Sequence, residues 1–398
     1  MWQPIKERQR GMLNSTSPEG RSSNNQPNAS PNKATPSIRR GKHTDDATAP
    51  ASICLLRLSA IGDVCHALPV VRTLQKHWPQ TQISWIIGKT EYQLIGDIPD
   101  IEFIVFDKSK KFRAYQSLRQ TLKHRRFDVL LHMQTSLRSN IASLCIPAKQ
   151  KIGFDRARAK ELQWLFTHQK IAPPAQGEHQ IDVFFSFIES LGIQAKTLSW
   201  NIPIPQEAVA FAHRACSPTQ PTLVINACSS PSKRVQRNWH AEGYAQVIDY
   251  AAHTLNYHVI LCGGPTAFEQ QMGEQIGHLC QSKPVNLIGK TSLKQLLALL
   301  DHADILITSD SGPAHIATAV GTPVIGLYAV TNPFQTGPYL SYPWLINKYP
   351  EAIQQEYNQH LEKLPWGIRV HSEQAMRQIT SAEVTAMLSR FTHQLVKN

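Results

Sequence analysis

Short apolar runs alternate with helical segments along most of this chain, and the alternation runs through twice. In the first series "SICLLRLS" (52–59) is an apolar strand and "AIGDVCHALPVVRTLQKHW" (60–78) turns and becomes helical. "QISWIIG" (82–88) and "EFIVFD" (102–107) are further strands, followed by a basic helix "FRAYQSLRQTLKHRR" (112–126) and the strand "DVLLHMQ" (128–134). The second series is more regular, with strands at 221–228, 257–265, 284–289, 303–309 and 323–329 separated by helices at 241–255, 266–281, 292–302 and 313–320. Strands spaced by helices of this kind predict parallel sheets covered on both faces. A proline-marked stretch, "WNIPIPQEA" (200–208), reads as the linker between the series. The expected fold is therefore α/β, with two doubly wound Rossmann-like domains, 51–205 and 206–398, facing a central cleft. Ligands in such sheets lie beyond the carboxyl ends of the strands.

Composition agrees with that size and restricts the partners. A chain of 398 residues, 41% hydrophobic and 18% charged, is long enough for two ordinary domains. The formal charge of +12 predicts an anionic partner. Residues 1–50 hold eight Lys/Arg against four Asp/Glu, so most of the excess belongs to the remainder. That first segment is rich in Ser, Asn, Pro and Thr, and reads as a disordered tail that cannot repay its ordering entropy. The seven cysteines never fall in a C-x-x-C spacing, which argues against a disulfide framework or a zinc knuckle and for a reducing cytosol. Basic residues near the start are followed by no apolar core of signal-peptide type, and no segment is apolar for long enough to span a membrane.

Four strand-to-helix junctions carry the chemistry. At the first, Ile61-Gly62-Asp63 ends a strand and opens a helix, setting a carboxylate at the cleft mouth; the same aspartate also suits a helix start through the macrodipole. The second, "NACSSPSKRVQRNW" (226–239), places Ser229, Ser230 and Ser232 beside Lys233, Arg234 and Arg237, donors and cations suited to a diphosphate. The third offers Gly263 and Gly264 for close backbone approach. At the fourth, "SDSGPAH" (309–315), Asp310, Ser311 and Gly312 end a strand, and the following helix presents its free N–H groups, a standing site for phosphate. His315 either adds a donor there or packs. No metal-ligand spacing accompanies these junctions, and no D-x-D pair lies at a strand end.

Taken together, S-x-x-G-D-x-x-x-x-x-P (Ser59 to Pro69) and S-D-S-G-P-x-H (309–315) with the following "GTPVIGLYAVTNP" resemble the ADP-heptose:lipopolysaccharide heptosyltransferases, glycosyltransferase family 9. "DVLLHMQTSLRSNIASL" (128–144), "KIGFDRARAKE" (151–161) and "ITSAEVTAML" (379–388) are similar as well, so the likeness runs from about 52 to 390. The resemblance implies a GT-B architecture in which the N-terminal domain binds the acceptor and the C-terminal domain the nucleotide sugar. It implies Asp63 as general base, with Gly62 beside it on the acceptor side. Ser229, Ser230, Lys233, Arg237, Gly264, Asp310, Ser311, Gly312 and His315 fall on the donor side. Arg119, Arg138, Arg156 and Arg158 fall toward an anionic acceptor, and Arg113, Lys123, Arg125 and Arg126 extend that basic surface.

The implied reaction is inverting, metal-independent transfer of heptose from ADP-heptose to the lipopolysaccharide inner core or a lipid A precursor. It needs no cofactor. The implied protein is a cytoplasmic monomer with a peripheral contact to the inner face of the inner membrane. This chain departs from the family pattern in reading Asn226-Ala227-Cys228 for Pro-Gly-Ala, and Arg237-Asn238-Trp239-His240 for Lys-x-Trp-Pro. Glu269 is the acidic residue available to read the nucleoside. Another nucleotide-sugar donor and a catalytically silent sugar-nucleotide binder stay open as alternatives. A nicotinamide enzyme is excluded by the missing G-x-G-x-x-G after the first strand. A nucleic-acid binder is disfavoured because aromatics do not interleave with the basic runs.

Overall fold

The computed structural model describes residues 49–173, 177–229 and 237–397. The first series becomes β1 (Ser52–Leu56), α1 (Ile61–His77), β2 (Gln82–Gly88), α2 (Lys89–Ile95), β3 (Glu102–Phe106), α3 (Phe112–Thr121) and β4 (Phe127–His132). It continues through α4 (Leu137–Leu144), β5 (Ala148–Gly153), β6 (Gln169–Lys170) and α5 (Gln180–Glu189). The second comprises α6 (Gln206–Ala215), β7 (Thr222–Asn226), α7 (Ala241–His253), β8 (His258–Cys262), α8 (Ala267–Leu279), β9 (Val285–Asn286) and α9 (Leu293–His302). β10 (Ile305–Ser309), α10 (Gly312–Ala319), β11 (Val324–Tyr328), α11 (Pro333–Thr336), β12 (Leu345–Asn347), α12 (Tyr349–Tyr357) and α13 (Ser381–Lys397) complete it.

The strand orders are β3-β2-β1-β4-β5-β6 and β12-β11-β10-β7-β8-β9, parallel throughout. Counted within its own half, each sheet reads 3-2-1-4-5-6, the doubly wound order expected from the sequence. Its reversal point lies between β1 and β4 in one sheet and between β7 and β10 in the other. The central strands are buried on both faces, which is why β7, β10 and β11 read as continuous rather than alternating apolar runs. α1 seats Val64, Leu68 and Val71, spaced i, i+4, i+7, in the core. One apolar cluster includes Leu68 and Val71 of α1 together with Ala314 and Ile316 of α10, so the two halves share buried surface at their facing helices. α13 packs on the second half, with Tyr250 bonded to Ser389 at 2.8 Å and Tyr257 to Thr392 at 3.1 Å.

The basic helix ends earlier than its composition predicts. α3 stops at Thr121, and Lys123 to Arg126 turn into β4, where cations so closely spaced repel one another along a helix. Arg125 turns back onto Glu102, and Arg125 and Arg126 share a surface with Ser52, Gln82 and Phe127. Those residues lie at the amino ends of β1, β2 and β4, the edge opposite the ligand-binding one. Arg125 and Arg126 are therefore not cleft-side contacts.

Candidate active site

At the end of β1, Ala60 is the N-cap of α1 and Asp63 its third residue. Asp63 Oδ2 accepts from the Ala60 N–H at 3.1 Å and pairs with Arg57. Arg57 is buried: its Nη1 donates to the Met133 carbonyl at 2.5 Å and its guanidinium stands 5.3 Å over the Phe184 ring. Leu58 N donates to Gln134 Oε1 at 2.6 Å, so the ends of β1 and β4 are tied together at the reversal point. The Asp63 side chain is 34% exposed while that of Arg57 is 10% exposed. A fixed cation behind and an open carboxylate in front leave Asp63 Oδ1 without a partner among the described residues and available to a proton donor.

The matching junction of the second sheet is built differently. Thr308 Oγ1 and Ser311 Oγ lie 2.8 Å apart, and Asn226 Nδ2 donates to Thr308 Oγ1 at 3.1 Å and to the Cys228 carbonyl at 2.8 Å. Asp310 Oδ2 accepts from Arg237 Nη1 at 2.8 Å and from Thr331 Oγ1 at 3.0 Å. Asp310 is thus buried as a strut that fixes Arg237, rather than turned toward solvent. Ser311 caps α10 in an extended conformation with no side-chain cap bond, leaving the first-turn N–H groups to another acceptor. On the donor loop, the Ser229 N–H and hydroxyl both donate to Asn238 Oδ1, at 2.8 and 2.9 Å. Ser230, Ser232, Lys233 and Arg234 lie outside the described residues.

Gly264 N donates to Glu269 Oε1 at 2.9 Å and Thr266 Oγ1 to Glu269 Oε2 at 2.6 Å. Both oxygens of Glu269 are therefore engaged in starting α8, which removes the free carboxylate that a nucleoside reader needs.

Between the two junctions, α1 and α10 meet through histidines. His66 Nε2 and His315 Nδ1 are 2.9 Å apart, and the His179 ring stands edge-on to His66 at 5.2 Å. Burial holds all three below the usual histidine range, His179 at about 4. At His315, Asp310 and Asp63 oppose that shift, and at His66 the neighbouring His315, His179 and Arg57 add to it. Gly62 is required by this contact, since a Cβ there would lie 2.4 Å from His315 Cδ2.

On the first sheet's carboxyl edge a cavity of about 250 Å³ is lined by Ser59, Lys89, Glu91, Lys108, Gln134 and Arg138, among others. Burial raises the Glu91 carboxyl above its ordinary range, against the pull of Lys108 and Arg57. Arg138 is brought to this cavity. Arg119 instead stands near Cys145, the C-cap of α4, at the other end of that helix from Arg138. Arg158 is engaged by Asp155, Glu178 and the Ala172 carbonyl, and Arg156 lies 5.6 Å over the Trp164 ring.

Residues 115–364 match the sequence model of glycosyltransferase family 9 (heptosyltransferase). The chain belongs to glycosyltransferase family 9. It is 42% identical over 342 residues to the lipopolysaccharide core heptosyltransferase OpsX of Haemophilus influenzae, covering 86% of this chain and 97% of that one. Lipopolysaccharide heptosyltransferase 3 of Escherichia coli is 27% identical over 280 residues, covering 68% of this chain and 80% of its own. Among solved structures, a family 9 glycosyltransferase from Veillonella parvula superposes with TM-score 0.72 at 22% identity, covering 86% of this chain and 98% of that one. E. coli heptosyltransferase WaaC with ADP gives 0.64 at 19%, covering 85% and 99%. These structures establish the GT-B fold of this family 9 chain, and membership makes it a glycosyltransferase. Among the described residues no helix is long and apolar enough to cross a membrane.

Sequence reasoning about this family 9 chain passed over Arg57, Glu91, His66 and Thr331. Arg57 had a signal, a lone charge inside the apolar run "CLLRLS", because a cation buried in a strand needs a partner. His66 had a weaker one, since it lies three residues after Asp63 on the same helix. Thr331 had none, because only the sheet brings it to Asp310.

Proposed function

We propose that the chain transfers a heptose from ADP-heptose to the inner core of lipopolysaccharide with inversion at the anomeric carbon. The observation that carries this reading is the pairing of an open carboxylate, Asp63, with the uncapped start of α10 through the Gly62–His315 contact. Identity of 42% to a core heptosyltransferase, across nearly all of that protein, supports the donor and acceptor classes.

In the step proposed, Asp63 takes the proton of an acceptor hydroxyl as its oxygen bonds to the anomeric carbon. The bond from that carbon to the diphosphate oxygen breaks, and its electron pair leaves with ADP. Positive charge on the ring and negative charge on the departing oxygen develop together. Arg237, held by Asp310, and the N–H groups of Ser311, Gly312 and Ala314 receive that negative charge. Residues 51–205 then hold the acceptor and 206–398 the donor. Lys89, Lys108 and Arg138 around the cavity suit an acceptor carrying phosphates or sugar carboxylates.

A peripheral contact with an anionic membrane surface is supported by α4, where Leu137, Ile141 and Leu144 are exposed at i, i+4, i+7 beside Arg138. Radiolabelled heptose transfer from ADP-heptose to a truncated lipopolysaccharide tests the whole reading. Transfer that requires Asp63 supports it; donor binding without transfer makes the chain a sugar-nucleotide binder instead.

A further inference from the structure

The histidine contact between α1 and α10 holds a single proton, and the surroundings decide which ring owns it. His66 Nε2 and His315 Nδ1 face each other at 2.9 Å, both rings buried. If His315 Nδ1 carries the proton, neutral His66 must hold its own on Nδ1. That atom is buried and has no hydrogen-bond partner among the described residues. A sealed N–H is more costly than a sealed lone pair, because it forfeits a strong donor bond to water while a bare nitrogen forfeits only an acceptance.

The nearest ring offers no relief. His179 Nδ1 accepts from the Ile181 N–H at 3.1 Å, and its Nε2 faces the Gly337 carbonyl at 3.0 Å. Both its nitrogens are engaged by backbone, so His179 has no acceptor to lend to His66. The opposite assignment, with the His66 Nε2–H donating to His315 Nδ1, leaves only a lone pair sealed at His66 Nδ1. Neutral His315 then carries its proton on Nε2. That nitrogen lies at the edge of Gly62, 3.2 Å from where a Cβ would stand, with Asp63 the next residue and the start of α10 three residues back.

We propose that His66 is a positioning residue: it fixes His315 in the Nε2–H tautomer, so that His315 presents an N–H donor to the diphosphate that leaves at the start of α10. This rests on the reading of the site as an ADP-sugar transferase. His66 itself touches no reacting atom and acts through His315 alone.

Long-range ¹H–¹⁵N spectra of the full chain, without substrate, read the tautomer directly, and the expected result is His315 protonated at Nε2. His66→Gln, whose amide nitrogen reaches the same place as an N–H donor, is expected to keep that tautomer and to hold kcat within about threefold. His66→Leu, which cannot donate, is expected to shift His315 toward Nδ1–H and to lower kcat by on the order of 10²-fold with donor KM little changed. A wild-type spectrum showing Nδ1–H at His315 overturns the proposal, and does so even if no variant folds. So does a folded His66→Leu with undiminished kcat, or a His66→Gln as impaired as His66→Leu. The spectrum is independent of turnover, so absence of heptose transfer by the wild type defeats the functional reading and leaves the tautomer assignment standing.

Discussion

Asp63 and Asp310 each follow a strand that borders the reversal point of its sheet, β1 in one and β10 in the other, and each is paired with an arginine. They are nevertheless turned to opposite tasks. Asp63 sits inside the first turn of α1 with its side chain 34% exposed, whereas Asp310 precedes the cap of α10 and is 11% exposed. Arg237 and Thr331 both close on one oxygen of Asp310; at Asp63 the bonding oxygen is shared by Arg57 and the Ala60 N–H, and the other is open. A carboxylate turned outward is available to a proton, and one turned inward fixes a cation. Two residues of the same type on the same kind of junction thus divide bond-making from leaving-group support.

The largest expected effect falls on Asp63. Asp63→Asn can still accept from the Ala60 N–H but cannot take a proton, so kcat should fall by about 10²- to 10⁴-fold while donor binding persists. Steady-state transfer assays with calorimetric donor titration check this, and a kcat within threefold of wild type removes the distinction between the two aspartates. Asp310→Asn should act on stability instead, because it leaves Arg237 buried without its counter-charge. Loss of one partner from a buried pair costs about 3–5 kcal/mol, read as a lower urea midpoint. An unchanged midpoint would show that Asp310 is no strut.

A pH-dependent effect falls on the histidines between them. His66, His179 and His315 have folded-state pKa values below the unfolded value of about 6.5, so the unfolded chain takes up protons first as pH falls. Stability should be level above about pH 7 and decline below pH 6.5 by up to about 1.4 kcal/mol per unit for each histidine. For His179 the decline ends near its folded value of about 4. Urea unfolding at a series of pH values reads this directly. His179→Gln should make the slope shallower, and a profile flat from pH 8 to 5 contradicts a neutral cluster.

Much of the framework was legible in the residues. The inner strands other than β5 and the junctions holding Asp63 and Gly312 follow from apolar runs broken by turn and cap residues. β12, "LIN", escaped because it is a three-residue edge strand, and β5, "AKQKIG", because its lysines and glutamine leave little apolar signal although β4 and β6 flank it. The basic run at 119–126 was misleading about function: charge in a sequence says nothing about which end of a sheet it will occupy, and Arg125 and Arg126 fold to the far edge. Glu269 was similarly ambiguous, since an acid three residues after a threonine serves equally as a ligand or as a local partner at a helix start, and the fold uses it as the latter, holding the Thr266 hydroxyl and the Gly264 N–H.

Local chemistry along the chain determined the α/β alternation, the position of each strand-to-helix junction and the presence of an acid at two of them, because strand and helix periods and turn residues are properties of neighbours. Which acid stays open and which is sealed was decided only by tertiary structure. The partners that settle it, Met133 behind Arg57, Thr331 against Asp310 and His66 against His315, lie 76, 21 and 249 residues away in sequence. Burial and hydrogen bonding act through space, so their sign at each aspartate exists only once the sheets have formed and α1 has met α10.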